Sequence, residues 1–328
     1  MSFKMVWSTD WHIADEAPQN RIDDYTETCF RKIGQIRSIC EQHKADIALI
    51  GGDVFHVKSS SKVRHALVTR LIKEFASFPC PVYSIVGNHD ISHNNIDTLP
   101  EKPLGVLFAC ESLKRLDEEV FTKDGVSVRI IGKHFDPKVT HKEFDTIQKG
   151  VEDWLCVAYH GYASLNGVSY PGEVTFKYHT LAKLPIDDWF FGHWHIDQSV
   201  MTIQEKNFVN IGSLTRGSLT LENVTRVPKA VVCEYTKTER KMIQIKLQVE
   251  PAENVFDIQK KNRIDKEQET IHRFITSLRT NTLDKSPSLS IDDRVVSYHI
   301  EAHIKNKVMD LLAEAGLELH HAKSTKAI

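Results

Sequence analysis

The sequence contains no long apolar run. None of its 328 residues lies in a stretch close to the ~20 apolar residues that a membrane-spanning helix needs. The first residues lead directly into a polar motif, Asp10-Trp11-His12, without an apolar segment or a small-residue cleavage site, so we expect no signal peptide. These absences predict a cytoplasmic protein that has no contact with a membrane.

The sequence also lacks closely spaced cysteines. Its six cysteines are scattered, and none forms the Cys-x-x-Cys spacing of zinc and redox motifs. Most have apolar neighbours, which is typical of small buried hydrophobic residues in a reducing compartment. The six are Cys29, Cys40, Cys80, Cys110, Cys156 and Cys233.

Neither sign of charge is in excess. The chain has 42 Lys and Arg against 44 Asp and Glu, a net charge of −2. Proteins that bind nucleic acid are often strongly basic, so a contact with DNA would need a local basic patch or a partner subunit. The composition, 41% hydrophobic and 26% charged, is that of an ordinary globular protein. What the chain does have is 17 histidines, which are common metal ligands and acid–base groups.

The hydrophobic pattern predicts alternating strands and helices in the first half of the chain. Apolar residues recur at the helical period over residues 25–43 and 63–76, and short, continuously apolar segments between them are typical of buried strands. This alternation predicts parallel β-α-β units. After His195 the pattern becomes strand–turn–strand, which predicts a second, more antiparallel sheet packed on the first. The predicted strands cover residues 3–8, 45–50, 81–86, 126–131, 154–159, 189–191, 200–204, 208–211, 230–235 and 242–249.

The composition changes near Glu253. A dense run of charges and a polar break precede an amphipathic segment over residues 291–315, which is followed by Gly316. A glycine directly after such a segment is typical of a helix C-terminus. We therefore predict a catalytic domain over residues 1–250 and a small, mostly helical C-terminal region over residues 251–328, either a cap or a partner-binding region.

Five short polar motifs follow predicted buried strands. Ligands of open α/β sheets bind at the carboxyl ends of the strands, so motifs at five such ends would converge on one place. A single Asp-x-His pair is usually a surface or structural feature, whereas the ordered set of five is a specific signal. The motifs are Asp10-Trp-His12, Gly52-Asp53-Val-Phe-His56, Gly87-Asn88-His89-Asp90, His160-Gly161 and Gly192-His193-Trp-His195.

The residue types in these motifs suit a pair of divalent metal ions. Carboxylate, imidazole and amide ligands favour Mn, Fe, Zn or Co over Ca or Mg. The Asp-x-His and His-x-His spacings place both side chains on one side of an extended segment, so each pair can bind one ion. A carboxylate at the end of a central strand can bridge two ions, which lie about 3.5–4 Å apart in two-metal sites.

The ordered motifs resemble the calcineurin-like metallophosphoesterase superfamily over about residues 1–250. The segment Gly52-Asp53-Val-Phe-His56, with a second histidine three residues after the aspartate, resembles the SbcD-type nuclease subunits of DNA double-strand-break repair. Asn210-Ile-Gly-Ser213 resembles a loop common in the superfamily. The resemblance implies an α/β fold: a calcineurin-like β-sandwich of two sheets flanked by helices.

The resemblance also implies a role for each motif residue. Seven residues would hold two divalent ions, with Mn as the expected metal. They are Asp10, His12 and His195 for one ion, Asn88, His160 and His193 for the other, and Asp53 as the bridge between them. His89 would lie beside the scissile phosphate without binding metal, His56 would be a second phosphate-facing histidine, and Asp90 would orient His89.

The implied activity is hydrolysis of DNA phosphodiester bonds by the nuclease subunit of an SbcCD-like complex at the nucleoid. Exonuclease action is the first expectation and endonuclease action the second. An activated water would attack phosphorus, and His89 or His56 would protonate the leaving oxygen. The implied partners are DNA and an SbcC-type coiled-coil ATPase, and a homodimer is a further expectation. The sequence has no phosphate-binding Gly-x-x-x-x-Gly-Lys-[Ser/Thr] loop of its own, which fits an ATPase partner.

Basic residues near the motifs are candidate contacts with the DNA backbone. Each of them is equally well explained as a solvated surface charge. They are Lys58, Lys62, Arg64 and Arg216. The amphipathic C-terminal segment would bind the ATPase partner or pack on its own domain.

Two alternatives share the predicted fold. The same metal centre suits a phosphoesterase that acts on cyclic nucleotides, dinucleoside polyphosphates or phosphoproteins, although His56 and the helical tail favour the nuclease. A non-catalytic scaffold should have lost metal ligands, whereas every motif position is filled here.

Overall fold

A computed structural model describes residues 2–56, 60–167, 173–263, 265–266 and 268–269. The chain divides into two compact units, Met1–Phe256 and Asp257–Ile328. The described residues of the second unit after Asp257 are helical. The predicted helix over residues 291–315 lies outside the described residues, and the predicted division after residue 250 stays a prediction.

Strands and short helices alternate along the first unit. Its strands are β1 (Phe3–Ser8), β2 (Ile47–Ile50), β3 (Val82–Ser84), β4 (Lys114–Arg115), β5 (Glu118–Lys123), β6 (Val126–Lys133), β7 (Trp154–His160), β8 (Tyr162–Ser164), β9 (Thr175–Lys177), β10 (Asp188–Gly192), β11 (Ser199–Ile203), β12 (Lys206–Asn210), β13 (Lys229–Tyr235) and β14 (Arg240–Lys246). Its helices are α1 (Tyr25–His43), α2 (His65–Ala76), α3 (Pro103–Ala109), α4 (Lys142–Asp145), α5 (Tyr178–Leu181), α6 (Leu221–Thr225) and α7 (Ala252–Val255), with 3₁₀ turns at Ser60–Lys62 and Ile96–Glu101.

The strands form two mixed six-stranded sheets and one small pair. Sheet 1 has the order β14-β13-β1-β2-β3-β4, in which β1 to β4 are parallel and β13 and β14 are antiparallel additions. Sheet 2 has the order β11-β12-β10-β7-β6-β5, with four parallel central strands and an antiparallel strand at each edge. Strands β8 and β9 pair separately.

The prediction of a separate sheet after His195 is wrong. Strands β11 and β12 extend sheet 2, whereas β13 and β14 extend sheet 1 beside β1. The strands themselves lie within a few residues of the predicted positions. Their pairing partners differ from the prediction because an apolar pattern shows which face of a strand is buried and carries no information about the neighbouring strand.

The two sheets pack face to face, with helices on both outer sides. Trp7 and Leu49 of sheet 1 contact Ile130 and Phe190 of sheet 2 in one buried cluster, and the Trp7 and Phe190 rings lie 5.2 Å apart. A second cluster joins sheet 1 to α1, α2 and α3, and a third joins sheet 2 to α4 and α5. The predicted α/β sandwich of two sheets flanked by helices is confirmed.

Helix α1 follows the predicted bounds because its ends are specified locally. Asp24 accepts a hydrogen bond from the Glu27 amide at the N-terminus, and Lys44 takes a left-handed conformation that closes the C-terminus. Ile33 and Ile36 lie on its buried face. The helix therefore connects β1 to the parallel neighbour β2.

An ion pair joins the two sheets. Arg240 of β14 lies 3.3 Å from the Asp188 carboxylate of β10, which also accepts a hydrogen bond from Asn207 at 2.8 Å. Asp188 is fully buried, and this burial raises its pKa to about 6. The packing of the two sheets therefore keeps the Arg240 guanidinium beside the buried Asp188 carboxylate.

The burial of most cysteines was predicted from their apolar neighbours in the sequence. Cys29, Cys40, Cys156 and Cys233 are buried, as predicted for cysteines with apolar neighbours, whereas Cys110 is exposed. Within the part of the chain that the structure describes, no helix has the length and apolar character needed to cross a membrane.

Candidate metal centre and active site

The predicted motifs meet at the carboxyl ends of strands from both sheets. Asp10, Asp53 and Asn88 follow β1, β2 and β3 of sheet 1. His160 ends β7 and His193 follows β10, which are parallel neighbours in sheet 2. Because parallel strands end at the same edge of a sheet, each sheet contributes its polar residues to one side, and the structure brings the two contributions together.

Four site residues have left-handed backbone conformations. The φ angles are 50° at Asp10, 48° at His12, 50° at Asp53 and 84° at His193. Such conformations cost non-glycine residues about 1–3 kcal/mol and are common at functional sites. Hydrogen bonds between loops hold them, since the Asp10 amide donates to Gly52 and the His12 amide donates to Asp53.

One group of candidate ligands consists of Asp10, His12, Asp53 and His195. The ligand atoms of these four residues all lie within 4.8 Å of one another. The Nε2 atoms of His12 and His195 are 2.8 Å apart, and Asp10 Oδ1 lies 3.6 Å from the His195 Nε2 atom. Asp53 Oδ2 lies 3.6 Å from His12 Nε2. This arrangement can surround one cation.

A second group consists of Asn88, His160, His193 and the same Asp53. Asn88 Oδ1 lies 2.9 Å from His193 Nδ1 and 3.2 Å from His160 Nε2. Asp53 Oδ2, the atom that faces His12, is also 3.5 Å from His160 Nε2. Asp53 therefore lies between the two groups, where the resemblance placed the bridging ligand.

The chemistry of this cluster fits two divalent ions. Asp53 Oδ2 and His193 Nε2 are buried and have no hydrogen-bond partner among the described residues. Burial and the His160 charge lower the pKa of His193 to about 3, and burial holds the pKa of His12 well below its ordinary value. Both rings are therefore neutral and can offer a lone pair to a metal. Burial is the largest effect on Asp53 and opposes its charged form, but the neighbouring histidines together, His160 first among them, outweigh it and hold the Asp53 pKa well below its ordinary value.

Neighbouring groups fix the orientation of the candidate ligands. His160 Nδ1 lies 2.6 Å from the Gly51 carbonyl oxygen, which leaves Nε2 turned toward Asp53. The His193 amide donates to both Asp10 carboxylate oxygens at 3.0 Å. Such outer contacts set the tautomer and the direction of a metal-binding side chain.

His56 and His89 lie beside these two groups. Their rings stack at 5.8 Å, and the His12 ring meets both of them edge-on. His89 Nδ1 is 2.5 Å from the His56 carbonyl oxygen, and the His89 amide donates to Asp53 Oδ1 at 2.8 Å. His12, His56 and His89 also form a third group with ligand atoms within 4.8 Å, so metal analysis is needed to test the predicted non-ligand role of His89.

Asp90 connects two of the site loops. Its buried carboxylate accepts hydrogen bonds from the amides of Gly87, Phe55 and Val54 at 2.9, 3.3 and 3.4 Å. Among the described hydrogen bonds none joins Asp90 to the His89 ring. Any effect of Asp90 on His89 therefore passes through the backbone of the loop that carries both residues.

Two of the predicted DNA contacts after the second motif, Lys62 and Arg64, lie outside the cluster. Lys62 and Arg64 are exposed, and Arg64 forms an ion pair with Asp15 at 2.9 Å. Lys58 lies outside the described residues. Neither Lys62 nor Arg64 lines the pocket beside the metal ligands. Their contact with DNA stays a prediction.

Arg216, the fourth predicted contact, has a different placement. It is buried, and its guanidinium donates to the carbonyl oxygens of Val224 and Glu250 and lies over the Phe256 ring. Because its donors face the protein interior, the structure gives Arg216 a structural role in place of the expected contact with DNA.

A pocket of about 290 Å³ opens over the metal cluster. Three of its lining residues were not predicted as site residues: Tyr162, Trp194 and Ile196. The sequence did hold a signal for two of them, because Trp194 lies between two ligand histidines and Tyr162 follows His160 by two residues. The described lining consists of Asp53, Asn88, His89, Tyr162, His193, Trp194, His195 and Ile196.

The sequence profile of the family described as calcineurin-like phosphoesterase matches residues 3–197. The chain belongs to this family. The match includes all seven candidate metal ligands and more than half of the 328 residues. No curated protein matches the chain. Calcineurin-like phosphoesterases hydrolyse phosphoesters with divalent metals, and this member has a cluster that can hold them.

Solved structures that the chain matches include a phosphodiesterase, a nucleotidase and a phosphatase. A novel archaeal phosphodiesterase is 15% identical and covers 74% of this chain and 100% of its own, with a TM-score of 0.36. The NAD nucleotidase of Haemophilus influenzae is 12% identical and covers 75% of this chain and 50% of its own, with a TM-score of 0.41. A dimetal phosphatase from Danio rerio is 10% identical and covers 75% of this chain and 99% of its own, with a TM-score of 0.45.

Proposed function

We propose that this calcineurin-like phosphoesterase is a metal-dependent DNA phosphodiesterase, the nuclease subunit of an SbcCD-like complex. The observation that carries the proposal is the stacked pair of His56 and His89, which lies beside the two ligand groups. Hydrolysis of a phosphodiester releases an alkoxide, which needs a proton donor in the transition state. Two imidazoles beside the cluster provide one group to stabilise the phosphate and another to supply the proton.

The roles of the histidines follow from their contacts. When bound, two divalent ions supply an activated water and neutralise charge on the phosphoryl oxygens. His89 Nδ1 faces the His56 carbonyl oxygen, so Nε2 is the atom left to reach a phosphate oxygen, to which it donates when the ring carries both protons. The hydrogen bond from the His89 amide to Asp53 keeps this ring beside the bridging carboxylate. His89 or His56, in its protonated form, then gives a proton to the leaving oxygen.

We further propose Mn as the metal and DNA and an SbcC-type coiled-coil ATPase as partners, with homodimer formation and a location at the nucleoid. Lys62 and Arg64 remain candidate contacts for the DNA backbone, because both are exposed. Exonuclease action is the first expected activity, and endonuclease action the second.

The experiment that tests the proposal compares four substrates in the presence of Mn. We expect linear single-stranded DNA to be hydrolysed with a higher kcat/KM than bis-p-nitrophenyl phosphate or cyclic AMP, and a circular single strand reports endonuclease action. Asp53→Asn is the matched inactive control. Turnover of cyclic AMP without hydrolysis of either DNA would refute the nuclease and support the small-molecule phosphoesterase.

A further inference from the structure

His134, outside the two ligand groups, joins the ends of two strands from different sheets. It follows β6 of sheet 2, whereas Val86 follows β3 of sheet 1. The Val86 amide donates to His134 Nδ1 at 3.1 Å, and the Phe135 amide donates to the Val86 carbonyl oxygen at 2.9 Å. Val86 lies two residues before the candidate ligand Asn88. The two residues after β6 therefore hold both backbone polar groups of the residue that leads into this ligand.

The contacts of the His134 ring define its tautomer. A backbone amide can only donate, so Nδ1 is the accepting nitrogen and Nε2 carries the proton of the neutral ring. Nε2 lies 2.9 Å from Asp117 Oδ1, which accepts this hydrogen bond, and Arg115 donates to the same oxygen at 2.7 Å. Burial lowers the pKa of His134, although the hydrogen bond with Asp117 opposes this shift. The neutral ring thus accepts from Val86 and donates to Asp117.

Asp117 is itself held by the backbone of both sheets. The Gly132 amide of β6 donates to the Asp117 carbonyl oxygen at 2.8 Å, and the Leu116 amide donates to the carbonyl oxygen of Ser84 in β3 at 2.9 Å. A Cβ atom at Gly132 would lie 2.1 Å from the Leu116 carbonyl oxygen, so the two segments are in close contact. The carboxylate that orients His134 therefore lies on a fixed support.

Phe135 extends this contact to the metal ligands of sheet 2. Its ring centroid lies 5.4 Å from that of His193 and 6.2 Å from that of His160. The second ligand group combines these two histidines with Asn88 from sheet 1. His134 and Phe135 together therefore contact the segments that supply all three of these ligands.

We infer that His134 is a positioning residue, which sets the place of Asn88 relative to His160 and His193 and so the affinity for the second metal ion. Without the acceptor on the ring, the Val86 amide loses its partner, and a buried amide without a partner favours movement of the loop. The inference goes beyond the proposed function, because it concerns the metal centre and does not depend on which phosphoester is hydrolysed.

Three substitutions separate the two contacts of the ring. His134→Asn places an amide oxygen near the position of Nδ1, where it can accept from the Val86 amide. His134→Gln places its amide near the position of Nε2, where it can donate to Asp117 but offers Val86 no acceptor. His134→Leu removes both contacts. His43→Leu is the matched control, because His43 is a half-buried histidine that ends α1 at the opposite end of β2 from Asp53.

The first measurement is a calorimetric titration of Mn into the metal-free, full-length chain. Asn88→Ala serves as the reference that identifies the binding step of the second ion. We expect His134→Gln and His134→Leu to weaken this step by about 10–100-fold, the range for groups that orient metal ligands, and the other step by less than about 3-fold. His134→Asn and His43→Leu should keep both steps within about 3-fold of the wild type.

The second measurement is amide hydrogen exchange of the metal-free protein, followed by NMR. The Val86 amide should exchange about 2- to 12-fold faster in His134→Gln and His134→Leu than in the wild type, the range for one hydrogen bond. The Ile85 amide, which donates to the Ile50 carbonyl oxygen at 3.1 Å, is the internal reference and should change less. His134→Asn should retain the protection of Val86.

Three results would overturn the inference: a single Mn step in the wild type, wild-type Mn affinity in His134→Gln, or a second step as weak in His134→Asn as in His134→Gln. If His134→Leu does not fold, the comparison of His134→Asn with His134→Gln decides the question. Failure of the proposed function has a different signature. In that case the wild type hydrolyses bis-p-nitrophenyl phosphate but no DNA, while the predicted order of Mn affinities among the variants is kept.

Discussion

Asp53 belongs to both ligand groups through a single oxygen atom, Oδ2. The change Asp53→Asn keeps an acceptor for the His89 amide but replaces one carboxylate oxygen with an amide group that cannot bind a cation. We expect metal content to fall and turnover of bis-p-nitrophenyl phosphate to drop below about 1% of wild type. Mutation of a residue that only supports a metal ligand already lowers metal affinity or activity by about 10–100-fold, and Asp53 is itself a candidate ligand. Elemental analysis after dialysis measures the first effect, and Asp97→Asn, at an exposed carboxyl, is the control.

His89 contacts Asp53 through its backbone amide and His56 through its ring, and it lies outside the two ligand groups that share Asp53. His89→Ala should therefore retain metal and lose rate by about 10²–10⁴-fold, the range for acid–base groups. Parallel metal analysis and kcat measurement separate the two effects. A metal-free His89→Ala protein would show instead that His89 acts as a ligand of the third group.

At the scale of elements, Gly87 and Gly34 make a matched pair. A Cβ atom at Gly87, in the loop after β3, would lie 2.1 Å from Asp53 Oδ1, whereas a Cβ atom at Gly34 in α1 meets nothing within 4 Å. We expect Gly87→Ala to displace Asp53 and abolish metal binding. Gly34→Ala should leave activity unchanged and raise the free energy of unfolding by about 0.4–1 kcal/mol, because alanine favours the helix. Urea titrations and metal analysis of both variants check this, and equal metal content would contradict the predicted clash.

Elements with strong local signals could be predicted from the sequence. Helix α1 has its N-cap and its apolar face within the segment, and its bounds agree with the prediction. The convergence of Asp10, Asp53 and His193 could also be anticipated, because each follows a buried parallel strand. The pairing of β13 with β1 could not, since no local pattern specifies a neighbour so distant in sequence.

Some side-chain roles were equally inaccessible from the sequence. Arg216 follows a motif loop, and only the fold shows that the Glu250 carbonyl accepts its hydrogen bond in the interior. Tyr162 follows the motif residue His160 by two residues, but its place on the pocket depends on the pairing of β8 with β9. The sequence shows which residues are polar, whereas the burial of a side chain and the direction in which it points depend on the complete structure.

At the scale of the whole molecule, the ion pair between Arg240 and Asp188 links the two sheets. Arg240→Ala leaves the fully buried Asp188 carboxylate without its cation, and such losses typically lower the free energy of unfolding by about 3–5 kcal/mol. Arg240→Ala combined with Asp188→Asn should recover part of this loss. Chemical denaturation at pH 7 measures both variants, and an unchanged stability of the single variant would contradict the expectation.

The effect of Arg240→Ala should also depend on pH. Burial raises the pKa of Asp188 from 3.8 to about 6, so the folded state holds this proton more tightly, and the resulting stability is lost as the pH rises from about 4 to 6. Removal of Arg240 raises this pKa further, because its charge favours the carboxylate. The difference between variant and wild type should therefore be largest near pH 7 and smaller at pH 5. A difference that does not vary with pH would exclude Asp188 as its source.

The candidate ligands come from both sheets, so bound ions would connect the two layers. A ligand present at 100 times its Kd stabilises a folded protein by about 2.7 kcal/mol. Chelation should therefore lower the Tm by about 5–10 °C for a domain of this size, and added Mn should restore it. Differential scanning calorimetry measures the shift. Asp53→Asn is the control, and an equal response of that variant to chelation would place the effect elsewhere in the protein.

The pairing of β1 with β13 has a consequence for synthesis of the chain on the ribosome. All seven candidate ligands have been translated once His195 is added, but the register partner of Phe3 is Tyr235. Until that later segment emerges, β1 has an unpaired edge at the centre of what becomes sheet 1. The nascent protein thus holds every ligand before it can complete the sheet that positions four of them, and during this interval an exposed strand edge is open to association with other chains.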